Sequence, residues 1–253
     1  MLNTLRMKFF HGKQYIPNVR KAAIDGRHRG LPILFQEKCT SSCSECAKCC
    51  PANAINREKL EIDLGKCIFC GDCERACKQQ AIKFSAFYKL STTDRDSLIV
   101  KGNMSEADYY KQAITAKEKS KALFGKSLKL RQVSSGGCNG CEFELNACSN
   151  PNFDMGRFGI DVVASPRHAD GLLITGPLTE NMAAALDDAY ECIPAPKIII
   201  LAGACAISGG LFQNSDALNR SFLEKHPIDL YIPGCPVHPL TVINGILDFV
   251  GHK

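Results

Sequence analysis

The sequence lacks the features that would carry a chain into or across a membrane. No stretch reaches the roughly 18 consecutive apolar residues that a transmembrane helix needs. The opening segment, MLNTLRMKFFHGKQY, does not resemble a secretory leader, because its apolar stretch is short and Arg6 and Lys8 interrupt it. We therefore expect a cytoplasmic protein.

Motifs of common catalytic classes are also missing. The sequence contains no Walker-type phosphate loop and no recognisable serine or cysteine triad. With 253 residues, of which 45% are hydrophobic, the chain is long enough for one or two domains with a core. These catalytic classes are therefore not expected for this chain.

Cysteine, in contrast, is abundant, with 15 residues. Cytoplasmic thiols stay reduced, and an odd number cannot pair completely, so metal binding is favoured over a disulfide framework. The formal net charge of +5 counts these thiols as neutral, whereas metal-bound cysteines are thiolates. We therefore do not take the basic charge as a sign of a nucleic-acid partner, and we expect none.

The chain divides into four segments of different character. They are a basic N-terminal segment, a cysteine-rich domain, a polar linker and an α/β domain, at residues 1–36, 37–84, 85–126 and 127–253. The linker is predicted to contain a helix that starts at Ser105, with Asp108 completing a capping box, and stops at Gly125. In the last segment, short β-rich runs alternate with helical stretches. This alternation predicts a parallel sheet whose ligand site lies at the carboxyl ends of the strands.

The cysteine-rich domain contains a repeated pattern. The first run reads Cys39-x3-Cys43-x2-Cys46-x3-Cys50-Pro51, the second reads Cys67-x2-Cys70-x2-Cys73-x3-Cys77, and both close with the dipeptide Ala-Ile. Three closely spaced cysteines can wrap three corners of an iron–sulfur cube, and the remote fourth cysteine ligates the other cube. A pair of zinc knuckles is the alternative, but zinc sites need their ligands as two separated pairs.

This pattern resembles that of the two-cluster bacterial ferredoxins. The resemblance implies an α+β ferredoxin-like domain with two 4Fe–4S clusters, one held by Cys39, Cys43, Cys46 and Cys77 and the other by Cys50, Cys67, Cys70 and Cys73. The sequence departs from the family pattern in two places: Cys39-x3-Cys43 has one residue more than usual, and Lys78 replaces a frequent proline. Cys49 could compete with Cys50. We prefer Cys50, which keeps the x3 spacing and precedes Pro51, and we expect Cys49 to be a small buried residue.

The α/β domain adds six cysteines: Cys138, Cys141, Cys148, Cys192, Cys205 and Cys235. Cys138 and Cys141 share the glycine-rich loop GGCNGCEFE after the first predicted strand, whereas Cys205 and Cys235 each follow a later strand. Glycines and prolines around them let the backbone approach a bulky cube. Cys148 and Cys192 fall on helical stretches, where we expect core packing.

Four motifs of this domain, GGCNGCEFE, RFGIDVVASPRHADGLLITGPLT, GACAISGG and YIPGCPVHP, resemble the small subunit of energy-converting nickel–iron hydrogenases of the formate hydrogenlyase type. The same fold carries the terminal cluster of respiratory complex I. The resemblance covers roughly residues 127–250 and implies a flavodoxin-like parallel sheet, with a third 4Fe–4S cluster held by Cys138, Cys141, Cys205 and Cys235. The Cys-x2-Cys spacing is that of the hydrogenases, and Val237 replaces a usual proline.

The same resemblance suggests roles for three residues near the third cluster. Glu144 is a candidate proton relay, although a hydrogen-bonded glutamate at a helix N-terminus is the plainer interpretation. Arg167 and His168 could donate hydrogen bonds to the cluster and raise its potential. Arg167 could equally form an ion pair with Asp170.

Together, the resemblances imply an electron-transfer subunit with three 4Fe–4S clusters and an active site on another chain. The implied partners are a hydrogenase-type large subunit with the nickel–iron site, a donor or acceptor module such as formate dehydrogenase or ferredoxin, and a membrane arm. The basic N-terminal segment resembles one that lies along such an arm, which implies a peripheral position on the cytoplasmic face of the inner membrane. A solvent-exposed basic arm is the alternative for this segment. A related complex without nickel and a freestanding carrier are the alternatives.

Overall fold

The computed structural model describes residues 2–12, 14–40, 43–113, 122, 124 and 127–252. Within them the chain forms an α+β N-terminal part and an α/β C-terminal part, which confirms the predicted fold class. None of the helices in these ranges is long and apolar enough to cross a membrane.

The N-terminal part consists of two small antiparallel sheets and short helices. Its strands are β1 (Pro32–Leu34), β2 (Ile55–Asn56), β3 (Glu61–Asp63), β4 (Ile82–Phe84) and β5 (Ile99–Lys101). Its helices are α1 (Leu2–His11), α2 (Glu45–Lys48), α3 (Asp72–Ala76) and α4 (Glu106–Ala113). β1 pairs with β4, and β3 lies between β2 and β5. Helices α2 and α3 each carry the third cysteine of a run, so the repeat in the sequence is also a repeat in the structure.

Both small sheets use segments outside the predicted cysteine-rich domain. Strand β1 belongs to the predicted basic segment 1–36, and β5 belongs to the predicted linker 85–126. β5 stays in the sheet because Val100 pairs with Ile62 of β3 and both side chains are buried. This part of the fold therefore extends beyond residues 37–84 on both sides.

Helix α4 starts as predicted. The Ser105 hydroxyl donates to the Asp108 carboxylate at 2.6 Å, and the Asp108 N–H donates to the Ser105 oxygen at 3.2 Å. The helix buries Tyr109, whose hydroxyl donates to the Leu90 carbonyl at 2.7 Å. The rest of the predicted helix, with its stop at Gly125, lies outside the described residues apart from Ala122 and Phe124.

The C-terminal part is a parallel sheet covered by helices. Its strands are β6 (Leu128–Ser134), β7 (Ile160–Val162), β8 (Gly171–Thr175), β9 (Ile198–Ala202) and β10 (Leu230–Ile232). Its helices are α5 (Gly140–Cys148), α6 (Glu180–Glu191), α7 (Ala204–Ser208), α8 (Ser221–Lys225) and α9 (Pro239–Phe249). All strand neighbours are parallel, in the order β10–β9–β8–β6–β7, which is the flavodoxin-like order. Every residue of β8 and β9 is buried, as expected of a sheet covered on both faces.

The two parts meet along the edge strand β10 and helix α9. Thr92 and Tyr231 exchange backbone hydrogen bonds of 2.9 and 2.8 Å, so the chain that leaves β4 continues the edge of the parallel sheet. The Ser91 hydroxyl donates to the Thr241 carbonyl of α9 at 3.2 Å. The contact is therefore made by backbone pairing as well as by side chains.

A second connection is a strap formed by residues 16–22, which lies against α9 before the chain enters β1. Arg20 forms an ion pair with Asp248, and both side chains are mostly buried. The Asn244 amide donates to the Val19 carbonyl at 3.0 Å. The chain therefore contacts the C-terminal part both before and after the cysteine repeat.

Candidate iron–sulfur sites

The first cysteine group consists of Cys39, Cys43, Cys46 and Cys77. Burial raises the pKa of the Cys46 thiol, and the charges of the other three cysteines raise it further. All four line one small cavity between α2 and the end of α3. The structure thus brings Cys77 of the second run to the three cysteines of the first.

The second group consists of Cys50, Cys67, Cys70 and Cys73. Burial raises the pKa of Cys67 to about 12, and the charges of Cys50 and Cys70 add to this effect. The pKa of Cys73 is also raised, by burial and then by the charges of Cys67, Cys50 and Cys70. Cys50 therefore lies with the second run, which is the exchange of remote cysteines that the ferredoxin pattern predicts.

Backbone N–H groups point at the remote cysteines in equivalent places of the repeat. The Ala54 N–H donates to the sulfur of Cys50 at 3.3 Å, and the Ala81 N–H donates to the sulfur of Cys77 at 3.2 Å. The residue before each donor, Asn53 or Gln80, has a left-handed backbone conformation, with φ angles of 49° and 51°, and this conformation turns the loop. The shared Ala-Ile dipeptides thus begin at the hydrogen-bond donor, and such bonds raise the potential of a bound cluster.

Cys49 differs from its neighbour Cys50. It is half-buried, and its sulfur donates to the Cys46 carbonyl at 3.4 Å. Burial raises the pKa of Cys49, and the charges of Cys50, Asp72 and Cys70 contribute to the shift. Because the Cys49 S–H already donates to a backbone carbonyl, Cys49 is the poorer ligand candidate. The choice of Cys50 stays a prediction.

The third group consists of Cys138, Cys141, Cys205 and Cys235. Burial raises the pKa of Cys141 to about 12 and that of Cys205 to about 11, and the charge of Cys235 contributes to both shifts. Cys138 follows β6, Cys205 lies in α7 directly after β9, and Cys235 follows β10. These four cysteines therefore gather at the carboxyl ends of the strands, where the parallel sheet was expected to present its site.

Glycine makes room beside two of these sulfurs. A Cβ atom added at Gly203 would lie 2.7 Å from the sulfur of Cys141, and one added at Gly210 would lie 3.0 Å from the sulfur of Cys205. Both glycines also have positive φ, 97° and 56°, a conformation that other residues rarely adopt. The loops therefore depend on glycine where they pass these two sulfurs.

The three groups fit iron–sulfur clusters chemically. Their buried thiols have raised pKa values, so at neutral pH they stay protonated unless a metal replaces the proton. A further donor, the Phe69 N–H, meets the sulfur of Cys67 at 3.3 Å, and Val237 donates its N–H to Cys141, which limits the rise of the Cys141 pKa. Among the described residues, no three cysteine, histidine or carboxylate side chains converge closely enough for a single metal ion.

The other predicted residues lie in different surroundings. Glu144 lies within α5 rather than at its start, and burial raises its pKa in a cavity that Cys235 and His238 also line. Arg167 and His168 are exposed on a short 3-10 helix just before the amino end of β8, the end of the strand away from the third group. Their suggested hydrogen bonds to a cluster stay predictions.

The alternative for Arg167 finds no support among the described residues. None of their ion pairs joins Arg167 to Asp170, whose carboxylate instead accepts from the Lys129 N–H at 2.7 Å.

Cys148 is fully buried, as expected of core packing. The same expectation is wrong for Cys192, which is exposed because it caps the outer end of α6.

Two charged residues beside the third group were not predicted. The charge of Glu142 raises the pKa of both Cys141 and Cys205, and its carboxylate accepts from the Thr175 hydroxyl at 2.5 Å. The Arg220 guanidinium donates to the carbonyl of Cys205 at 3.3 Å. Glu142 could have been found from its place in GGCNGCEFE, whereas Arg220 stands in no motif.

Two parts of the chain match known sequence families. Residues 138–249 match the family described as NADH ubiquinone oxidoreductase, 20 Kd subunit, and residues 60–83 match the 4Fe-4S binding domain. The first cysteine run lies outside the second match. The 4Fe–4S character of the N-terminal part is thereby established, whereas the number of clusters is not.

Individual relatives come from several kinds of complex. The chain is 42% identical over 125 residues to the probable membrane-bound hydrogenase subunit mbhJ of Pyrococcus furiosus, covering 49% of this chain and 75% of that protein. It is 44% identical over 126 residues to formate hydrogenlyase subunit 7 of Escherichia coli, covering 50% of this chain and 49% of that protein. It is 43% identical over 114 residues to an NADH-quinone oxidoreductase subunit of Heliobacterium modesticaldum, covering 45% of this chain and 65% of that protein. The predicted resemblance is confirmed: the chain belongs to the family of the 20 kDa subunit of NADH ubiquinone oxidoreductase, and it joins that fold to a 4Fe–4S binding domain.

Proposed function

We propose that this chain is the electron-transfer subunit of a membrane-associated hydrogenase complex, in which it links a donor or acceptor module to a nickel–iron large subunit. Each of the three cysteine groups would hold one 4Fe–4S cluster, and these clusters supply one-electron transfer when bound. A peripheral position on the cytoplasmic face of the inner membrane fits the membrane-bound hydrogenase among its relatives. Formate dehydrogenase or a ferredoxin is the proposed donor or acceptor.

The observation that carries the proposal is the proximity of the second and third groups. Phe69, next to Cys70, lines the same cavity as Cys235. Surrounding protein atoms desolvate the Cys235 sulfur and raise its pKa even though the residue reaches solvent, and the charges of Cys138 and, across the domain contact, Cys70 add to the shift. The proposed order is therefore first group, second group, third group, with the third group next to the large subunit.

Exposed apolar residues support a partner at the third group. Phe143, two residues after Cys141, is 71% exposed, and Leu211, six residues after Cys205, is 56% exposed. Cys138 and Cys235 are themselves exposed. Large apolar side chains beside exposed metal ligands are what a protein interface would cover.

A second candidate is a related complex without nickel. It is favoured by the 43% identity to the NADH-quinone oxidoreductase relative. In that case this chain performs the same electron transfer, but the large subunit carries no hydrogenase site. The metal content of the assembled complex distinguishes the two candidates.

The test uses the complex purified anaerobically with its partners. We expect about twelve irons and about twelve sulfides in this chain, as three cubane clusters require, and nickel in the large subunit. Cys235→Ala should stop hydrogen from reducing the clusters of the first two groups, which dithionite should still reduce. The matched control is Cys192→Ala, which removes an exposed cysteine outside the three groups and should change neither result.

Three results would contradict the proposal. Stoichiometric zinc with little sulfide would exclude the clusters. Unchanged hydrogen-linked reduction in the Cys235→Ala complex would exclude the third group from the path. A wild-type complex that contains no nickel and catalyses no hydrogen–deuterium exchange would favour the second candidate.

A further inference from the structure

Arg220 is a partly buried arginine that lies against the helix carrying Cys205. One guanidinium nitrogen donates to the carbonyls of Pro177 and Cys205, at 3.1 and 3.3 Å. The other donates to the carbonyls of Ala206 and Ile207, both at 2.9 Å. These bonds hold α7 to the loop after β8 and bring a positive charge to the backbone of a predicted ligand.

The charge of Arg220 has no carboxylate partner in the described part of the chain. None of the ion pairs among those residues includes Arg220. Burial lowers its pKa, the charge of Cys205 opposes this shift, and Arg95 strengthens it. A guanidinium stays charged in proteins, and a partly buried charge is stabilised by an opposite one. The thiolate of Cys205, whose charge acts on Arg220, can supply that opposite charge.

We propose that Arg220 is a positioning residue for the cluster of the third group, and that its positive charge raises the reduction potential of that cluster. The inference rests on the proposed third cluster. Reduction adds one negative charge to the site, and a nearby cation stabilises the reduced form more than the oxidised form. The negative charge of Glu142 should lower the reduction potential instead, because it acts on both Cys141 and Cys205.

The experiment compares Arg220→Gln, which removes the charge, with Arg220→Lys, which keeps it but lacks the planar fork. The full chain is purified anaerobically, and each potential is measured by a redox titration followed by electron paramagnetic resonance. The signal lost in Cys235→Ala identifies the third cluster. Arg157→Gln is the matched control, since Arg157 is an exposed arginine of the same domain that donates to the Ile16 carbonyl.

Arg220→Gln should weaken reduction of the third cluster at least tenfold, which is a fall of about 59 mV for a one-electron couple. Arg220→Lys should stay within about threefold of the wild type, or about 30 mV, because the charge remains. Arg157→Gln should shift nothing. The clusters of the first two groups should keep their potentials in every variant, and the iron content should show that all three sites are filled.

The outcomes separate a charge effect from a purely structural one. If Arg220→Gln loses the third cluster while Arg220→Lys keeps it at the wild-type potential, the inference stands. If both variants lose the cluster, or if Arg220→Gln keeps it at the wild-type potential, the inference is overturned. A wild-type chain without a third cluster would overturn the proposed function together with this inference, whereas an unshifted Arg220→Gln overturns this inference alone.

Discussion

Cys49 and Cys50 are adjacent in the chain, but their sulfurs have different partners. The sulfur of Cys50 accepts the Ala54 N–H and lies near enough to Cys67 and Cys73 to raise their pKa values. The sulfur of Cys49 donates to a backbone carbonyl instead. At the scale of single residues, this difference between an accepting and a donating sulfur supports the prediction that Cys50, and not Cys49, is the ligand.

A pair of substitutions tests this distinction. Cys50→Ser should damage the cluster of the second group, because a serine oxygen is a poor substitute for a thiolate ligand of iron. Cys49→Ser should leave both N-terminal clusters intact and serves as the matched control. Iron content and resonance spectra measure the result, and spectra with the reverse pattern would show that Cys49 is the ligand.

The sequence allowed the three cysteine groups to be predicted because its motifs resemble those of the two-cluster ferredoxins and of the hydrogenase small subunits, whereas the size of a cube accounts only for the close spacing within each ferredoxin-like run. The structure brings together the four cysteines of each predicted group, including the exchange of Cys50 and Cys77. Arg220 could not be predicted in the same way. It stands 15 residues after Cys205 and reaches α7 only through a long side chain, so no local pattern marks it.

At the scale of elements, the limits of the N-terminal part were harder to predict than its cysteines. Strand β5 has only three residues and lies in a segment that is polar overall. Its place in the sheet depends on pairing with β3, which is distant in sequence. The capping box of α4 was predictable, because its two residues are three positions apart and interact locally.

The buried hydroxyl of Tyr109 helps to join helix α4 to the rest of the fold, and its contribution can be tested. Tyr109→Phe should lower the free energy of unfolding by about 1–2 kcal/mol, because the Leu90 carbonyl loses its buried donor. Tyr15→Phe is the matched control: its ring is 44% exposed and its hydroxyl has no hydrogen bond within the described part of the chain, so we expect a change within about 0.5 kcal/mol. Urea unfolding measures both, and equal effects would show that the buried bond does not anchor α4.

At the scale of the whole molecule, two connections keep the cysteine repeat against the parallel sheet. The strap of residues 16–22 packs on α9 through Arg20 and Val19, and the chain after β4 pairs with Tyr231 of β10. Because the chain is held to the C-terminal part on both sides of the cysteine repeat, we expect the second and third groups to keep a constant separation. A short and constant separation is what transfer between the two groups would require.

Gly245 of α9 lies where this contact is tightest. A Cβ atom added there would stand 2.2 Å from the Ser91 oxygen and 2.5 Å from the Ser91 Cβ. Rotation of the hydroxyl cannot remove the second clash, so the backbone of Ser91 must move away from α9. The parallel order of the sheet predicted neither this contact nor the glycine that permits it.

Gly245→Ala should therefore separate the two parts slightly without touching a cysteine. We expect the free energy of unfolding to fall by about 1–3 kcal/mol, as overpacking of a tight contact does. All three clusters should remain by iron content, while reduction of the third cluster by electrons entering at the first slows. Rapid-mixing spectroscopy with a donor at the first group measures that rate.

Two further variants show whether the effect comes from the contact itself. Gly156→Ala is the matched control, because the nearest atom to its added Cβ is the Asp161 carboxylate oxygen at 3.5 Å, and its stability should change by no more than about 0.5 kcal/mol. Ser91→Gly in the Gly245→Ala chain removes the clashing Cβ and should restore the rate, whereas stability should recover only in part because the Ser91 hydroxyl no longer donates to the Thr241 carbonyl. If Gly245→Ala behaves like Gly156→Ala, or if Ser91→Gly restores nothing, the contact between Ser91 and α9 does not set the separation of the second and third groups.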